Sequence, residues 1–336
     1  MSRTYDIYSF GNALVDTEIK VSEDDLATLG IKKGMMSLVD RERQLEIFDL
    51  LKTNLVKANR ASGGSAANSV YAAARFGASA FFSCKIADDA DGAFFLRDME
   101  KAGVKHNYLL QHSPGDGVTG KCLVMISPDA ERSMNTFLGI NEVFSTDELV
   151  GEAQSDARYL FMEGYAVTAE GACEAATSAI AKAKAEGVQT VLSFSDPVSV
   201  TVFKDNMKRV VGDGVDFIFA NEVEAMEWTS TNTVKAAVER MKNHAKRFAV
   251  TRSGEGSILW DGNELTEIPP HRVQAIDTNG AGDMYAGAFL YALTRGESFP
   301  VAGRFASLAA GTIVANYGPR LAPEGYSALR AEFFGD

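Results

Sequence analysis

A three-layer α/β fold with a mostly parallel central sheet, plus a small separate β layer, is the architecture this sequence predicts. Three observations carry it. Short apolar runs alternate with longer helix-like stretches along almost the whole chain. The helical stretch 170–186 leads straight into the β-branched run 190–194, and strand–helix–strand at that spacing means parallel pairing. Two segments, 12–40 and 117–137, break this rhythm with strand-like patterns of their own.

In chain order, the apolar run 7–10 is the first expected strand. The segment 12–40 follows, with the alternating pattern Thr17-Glu18-Ile19-Lys20-Val21, and then a helix-like stretch over 41–57. Gly63 and Gly64 precede a small-residue helix over 65–76, for which Ser65 is a candidate cap. A strand over 80–87 leads to Asp88, Asp89 and Asp91, which lack the twelfth-position Glu of a calcium loop and read as the start of a helix over 92–102. Lys121-Cys122-Leu123-Val124-Met125-Ile126 lies in the second excursion; both excursions look like antiparallel strands with one exposed face. After a strand over 159–163, Cys173, Ala176, Ile180 and Ala183 recur at helical spacing and stack on one face. Thr168 is placed to cap that helix, and Gly187 to end it. Strands over 190–194, 217–220, 247–251 and 257–260 and helices over 234–244, 281–294 and 302–316 complete the pattern. Residues 1–12, 41–116 and 138–336 are expected to form the large domain, with 13–40 and 117–137 as a lid above the strand ends.

The chain has 336 residues, enough to bury a large core without disulfides or structural metals. Its 33 Lys and Arg against 45 Asp and Glu give a net charge of −12, which argues against general nucleic-acid binding. Cys84, Cys122 and Cys173 are scattered and read as reduced thiols. No signal-peptide pattern opens the chain, and no apolar run approaches the ~18 residues that span a bilayer. A soluble cytoplasmic protein is expected.

The most specific chemistry lies in Asp277-Thr278-Asn279-Gly280-Ala281-Gly282-Asp283. A turn of small residues here runs directly into an apolar helix. Its backbone N–H groups and the helix N-terminus suit an anion. Asp283 makes sense beside an anion if it faces an attacking hydroxyl as a base kept ionised by the helix dipole. Read alone, the segment is equally a tight turn with an acidic first helical residue. Gly63-Gly64-Ser65-Ala66-Ala67-Asn68 could likewise bring backbone against a ligand, or simply allow close helix packing. Thr251-Arg252-Ser253-Gly254-Glu255-Gly256 could cradle phosphates or turn a hairpin. Asn221-Glu222-Val223-Glu224 could serve magnesium or start a surface helix. Asn12 and Asp16 flank the first strand end. There is no phosphate-binding G-x-x-x-x-G-K-[ST] motif, and Gly11-Asn12-Ala13 stands where a dinucleotide-binding G-x-G-x-x-G would begin. Serine-hydrolase and zinc-protease motifs are missing too.

Taken in this order, these segments resemble the ribokinase family of sugar and nucleoside kinases, the pfkB-type carbohydrate kinases. The paired signatures are Gly63-Gly64-Ser65-Ala66-Ala67-Asn68 and Asp277-Thr278-Asn279-Gly280-Ala281-Gly282-Asp283. Gly11-Asn12-Ala13-Leu14-Val15-Asp16, Gly164-Tyr165 and Asn221-Glu222-Val223-Glu224-Ala225 fit the adenosine kinase branch. The resemblance implies a ribokinase-like α/β/α domain with a β-sheet lid, and ATP-dependent phosphorylation of a ribonucleoside 5′-hydroxyl, adenosine giving AMP. A sugar kinase of the same family is the alternative, and a non-catalytic nucleoside-binding module the alternative of another class. By the same resemblance Asp283 is the base, Gly280, Ala281 and Gly282 form the anion hole, and Arg132 reaches the phosphates from the lid. Asn12, Asp16, Gly63, Gly64 and Asn68 hold the ribose. Phe137 and Met36 are candidates to sandwich the base. Asn221, Glu224, Thr251, Gly254 and Gly256 serve ATP and Mg2+. Asp277 and the carbonyl of Asn279 belong to a loop for a monovalent cation such as K+. Asp196-Pro197 stands where relatives of this branch often carry an apolar residue. No nucleic-acid or membrane partner is implied, and a monomer is expected rather than a dimer.

Overall fold

The computed structural model describes residues 3–51, 59–110, 112–129 and 131–336. Its strands are β1 (Tyr5–Phe10), β2 (Leu14–Lys20), β3 (Met36–Leu38), β4 (Asn59–Gly63), β5 (Ala80–Ser83), β6 (Lys105–His106), β7 (Gly120–Ile126), β8 (Arg132–Phe137), β9 (Ala157–Glu163), β10 (Gln189–Ser193), β11 (Val215–Asn221), β12 (Ala245–Thr251), β13 (Ser257–Trp260) and β14 (Leu265–Ile268). Among the described residues, nine of these form one sheet in the order β14-β13-β12-β11-β10-β9-β1-β5-β6. Pairing is parallel from β12 to β6 and antiparallel at β13 and β14.

Alternate side chains on a strand point to opposite faces, so each strand of this sheet feeds two cores. Ile7, Tyr159, Phe161, Phe217 and Phe219 go to one, beneath the helices Ser65–Phe76, Ala281–Thr294 and Phe299–Val314. Tyr8, Phe10, Leu160, Met162, Ile218 and Ala220 go to the other, beneath Glu170–Glu186 and Lys204–Val211. Burial on both faces is why these strands read as continuous apolar runs. Helix Glu170–Glu186 buries Cys173, Ala176, Ile180 and Ala183 as their spacing requires, and ends at Gly187 in the left-handed conformation. Thr168 does not cap it: its hydroxyl donates to the Tyr165 carbonyl within the preceding turn, at 2.8 Å. Asp89 does cap Ala90–Lys101, accepting from Gly92 N at 2.7 Å. The strand expected over 80–87 stops at Ser83. The helix expected over 41–57 is observed as Arg41–Leu50; residues 52–57 of that expectation lie outside the described residues.

The two excursions do pair into a smaller sheet, ordered β3-β8-β7-β2-β4. It is mixed rather than antiparallel. β2 runs parallel to β7 and β3 to β8, while β7–β8 and β2–β4 are antiparallel. β2 and β7 are far apart in sequence, so no hairpin turn dictates their direction. β4 joins this sheet although 41–116 was expected in the large domain; Asn-Arg-Ala-Ser-Gly has none of the β-branched residues that mark a strand. One face of the small sheet packs Ile19, Leu123 and Met125 on Leu26, Leu29, Ile47 and Leu51. The other face looks back at the strand ends of the large sheet.

Candidate active site

That second face closes a cavity of about 840 Å³. The floor comes from the C-terminal ends of the parallel strands and the turns after them: Asn12 beyond β1, Glu163 at the end of β9, Asn221 ending β11 and Thr251 ending β12. This edge is where open α/β sheets bind ligands. The roof follows the two-residue period. Leu14 and Asp16 of β2, Met36 and Leu38 of β3, Cys122 of β7, and Arg132, Met134 and Thr136 of β8 all line the cavity. Phe137, expected against a base, sits out of phase with the lining residues of β8 and is not part of the wall; Met36 is.

Helix Ala281–Thr294 starts at Gly280 with no side-chain cap, and Gly280, Ala281 and Gly282 line the cavity. Its first-turn N–H groups therefore have no side-chain partner of their own. Asp283 is half-buried one turn in. Ser65 Oγ donates to its Oδ1 at 2.6 Å and Asn68 Nδ2 to its Oδ2 at 3.1 Å. Burial pushes its pKa up to about 6, and the bonds from Ser65 and Asn68 and the charge of Arg320 limit the rise. Desolvation thus outweighs the stabilising dipole expected from the sequence. The outcome is a carboxylate poised close to neutral pH.

Asp16 is buried, with Oδ1 lacking a hydrogen-bond partner among the described residues. Burial raises its pKa to about 7; Arg320 opposes the rise, and Glu18 and Asp283 add to it. Gly63 faces this carboxylate so closely that a Cβ there would lie 2.1 Å from Asp16 Oδ1. Gly64 has φ +101°, and a Cβ on it would meet the Asn12 carbonyl at 2.1 Å. No other residue fits either place.

Glu163 ties these turns together. Its carboxylate accepts from Asn12 N at 2.8 Å and from Ala66 N at 2.6 Å. Burial raises its pKa to about 7 against those two bonds. Glu163 belongs to no motif, although a charged residue ending an apolar parallel strand is a usable signal. Arg320 has none, since Gly318-Pro319-Arg320 carries no motif that would expose it.

Arg132 pairs with Asp277 and lies 4.0 Å from Glu18. Burial lowers its pKa to about 10. Asp277 is fully buried and also accepts from Asn279 N at 2.7 Å and Gly318 N at 2.8 Å, which fixes the loop carrying Gly280. On the other side of the cavity, Asn221 and Glu224 cap helix Glu222–Thr229 reciprocally. Glu224 is buried, and its pKa is raised to about 8 by desolvation and, to a lesser degree, by the nearby Asp196 carboxylate. Thr251 to Gly256 do turn the β12–β13 hairpin, and Thr251, Ser253, Gly254 and Gly256 line the cavity as well. Asp196 caps the short helix Pro197–Thr201 and accepts from Tyr165 Oη at 3.2 Å. Tyr165, unlike Asp196, reaches the cavity wall.

Residues 24–324 match the family described as pfkB family carbohydrate kinase. The chain is 30% identical over 312 residues to the adenosine kinase of Saccharomyces cerevisiae, covering 85% of this chain and 88% of that one. The crystal structure of an adenosine kinase from Sinorhizobium meliloti aligns with a TM-score of 0.89 at 33% identity, covering 98% of this chain and 99% of the other. A probable sugar kinase from Rhizobium etli CFN 42 aligns with a TM-score of 0.90 at 30% identity and the same coverage. The chain belongs to the pfkB family of carbohydrate kinases. It is a kinase of the sugar and nucleoside class, a phosphotransferase with an alcohol group as acceptor and ATP as donor. No helix among the described residues is long and apolar enough to cross a membrane.

Proposed function

We propose that the protein transfers the γ-phosphoryl group of ATP to the 5′-hydroxyl of a ribonucleoside, adenosine above others, giving AMP. The observation that carries this is the wall around Asp16. Leu14, Met36, Leu38, Cys122, Met134 and Leu138 line the same cavity as the buried Asp16 carboxylate, one oxygen of which is unpaired among the described residues. A carboxylate of this kind suits vicinal ring hydroxyls, and the apolar surface beyond it suits a flat base better than a free sugar.

In this reading Asp16, Asn12, Gly63, Gly64 and Asn68 hold the ribose. Asp283 removes the 5′-hydroxyl proton as the oxygen forms its bond to the γ-phosphorus. The bond to the β–γ bridging oxygen breaks, and ADP leaves. Gly280, Ala281 and Gly282 hold the transferring group by backbone N–H groups, and Arg132 stands at the head of the same loop through Asp277. Most of the rate comes from positioning and charge. Thr251, Gly254, Gly256 and Asn221 form the donor side. Glu224 is the candidate for Mg2+, a buried carboxylate that lines the cavity and pairs with no cationic side chain among the described residues. Among the described residues no three carboxylate, His or Cys side chains converge on one metal position, so Mg2+ would depend on donor phosphates, as it does elsewhere. Bound there, it neutralises charge on those phosphates. At Asp277 the carboxylate already carries Arg132 and two backbone N–H groups, so K+ would rest on carbonyls such as that of Asn279. The lid of this reading is 13–40 and 117–137, extended by β4, and a monomer suffices for the site.

The test is an acceptor panel with ATP-Mg2+: adenosine, inosine, guanosine, cytidine, ribose and fructose, with the product phosphate located by 31P NMR. Adenosine is expected to lead, with phosphate on the 5′-oxygen. The similarity to a probable sugar kinase favours the second reading; ribose leading the panel would select it.

A further inference from the structure

Beyond helix Phe299–Val314, Gly318-Pro319-Arg320 carries a guanidinium under the acceptor side of the cavity. The Arg320 side chain is 8% exposed. Nε donates to Asn68 Oδ1 at 3.1 Å, and Nη1 donates to Asp98 Oδ2 at 2.6 Å and to Ser62 Oγ. Its Cζ lies 3.8 Å from the centroid of the Tyr71 ring. Nη2 is buried with no hydrogen-bond partner among the described residues. Four contacts from β4, helix Ser65–Phe76 and helix Ala90–Lys101 therefore fix one side chain that does not itself line the cavity.

The bond to Asn68 has a consequence for the base. A side-chain amide can be placed either way round. With Arg320 donating to Oδ1, Asn68 must turn Nδ2 toward Asp283 Oδ2, where it is found at 3.1 Å. The reverse placement would set an amide oxygen against the carboxylate.

We propose that Arg320 is a positioning residue for phosphoryl transfer, locking the Asn68 amide against Asp283 and supplying the fixed positive charge that lets Asp283 and Asp16 stay ionised side by side. This rests on the reading in which Asp283 is the base and Asp16 grips the acceptor. Asp283 is surrounded by Ser65 and Asn68 from one helix, Gly280 to Gly282 from its own turn, and the charges of Asp16 on β2 and Glu163 on β9, with Tyr165 close by. Asp16 in turn has Glu18, Cys122 and Asp283 in its field. Arg320 lowers both Asp16 and Asp283. Arg132, a buried arginine that does line the cavity, is spent on Asp277 and Glu18. Asp98 offsets part of the Arg320 charge, and Tyr326 lies within its field.

The experiment is kcat against pH, with KM for both substrates, for the wild type and for Arg320→Gln, Arg320→Lys and Asp98→Asn. Arg320→Gln is expected to lower kcat at pH 7 about tenfold or more. It should also move the acid limb of the profile up by about one pH unit. KM should rise for the acceptor and stay within about twofold for ATP. Arg320→Lys keeps the charge, so its limb should stay in place while kcat falls. Asp98→Asn also keeps it, and its limb should not rise. A limb unmoved in Arg320→Gln reduces Arg320 to a packing role and overturns the proposal. So does a limb that rises equally in Asp98→Asn. If Arg320→Gln does not fold, Arg320→Met, which keeps the bulk of the side chain without its charge, takes its place and is read by the same criteria. A wild type that phosphorylates no nucleoside or sugar takes down the kinase reading first, and an acid limb that persists in Asp283→Asn takes down the base assignment. Neither result resembles the failure specific to Arg320.

Discussion

Asp283 holds a pKa near 6 because burial is opposed by two hydrogen bonds and one arginine. As the base of the proposed reaction, Asp283 must be deprotonated to work, so kcat should fall as pH drops through about 6 and level off above about 7. Replacing it by asparagine changes the volume little and removes the base; Asp283→Asn should fold normally and lose ~10²–10⁴ in kcat. A circular dichroism melt alongside steady-state rates checks both halves. Asp16 makes a different prediction. Its folded pKa, about 7, lies above its ordinary value of 3.8. The folded state therefore holds a proton that the unfolded state has released between those values. Stability from this group is full below about pH 4 and is lost as pH rises through about 7. Asp16→Asn removes that loss. Its melting temperature should exceed the wild type's at pH 8, the difference should shrink at pH 5, and acceptor KM should rise steeply. A variant less stable than wild type at pH 8 would show that the carboxylate is not the strained group described here.

Elements show where sequence patterns are reliable and where they stop. Asp89 read as a helix start, and it is one. It also accepts from Thr119 N at 2.8 Å and Thr119 Oγ1 at 2.7 Å, tying the helix to the segment before β7. Asp89→Ala should cost about 1–2 kcal/mol in urea unfolding, above the usual cap, because two anchors go together. A loss below about 0.5 kcal/mol would leave the Thr119 contacts without weight. The parallel strands were legible because burial on both faces leaves an unbroken apolar run. β4 was not, because its Ser62 and Gly63 answer to contacts made far across the chain, with Arg320 and with the Asp16 carboxylate, rather than to strand propensity. Phe137 was misassigned for a related reason: composition places an aromatic residue on the lid, but only register says which face it takes, and register is set by pairing with β7. The signature segments were legible since their glycines answer to local geometry. Glu163 and Arg320 act across more than 90 residues of sequence, on Ala66 and Asn68, and local pattern carries no record of that.

In the whole molecule, a large sheet supplies the floor of the cavity, and a small sheet supplies a roof whose inner face is mostly apolar apart from Asp16, Arg132 and Thr136. Closure of that roof would exclude water and protect ATP from hydrolysis. Saturating adenosine should slow amide hydrogen exchange in 18–39 and 121–137 more than ATP alone does, because the proposed reading has the acceptor, not the donor, meet the roof. Protection by ATP alone, or by ribose but not adenosine, would reassign what the roof touches. The division of labour between Asp16 and the apolar wall is the centre of the account. Burying on the order of 100 Å² of base at ~25 cal/mol per Å² contributes about 2.5 kcal/mol, close to a hundredfold in selectivity. The direct measurement is kcat/KM for adenosine and for ribose on the same preparation with ATP-Mg2+. A ratio of about a hundred or more in favour of adenosine is expected; a ratio at or below one would contradict the assignment of the apolar wall to a base.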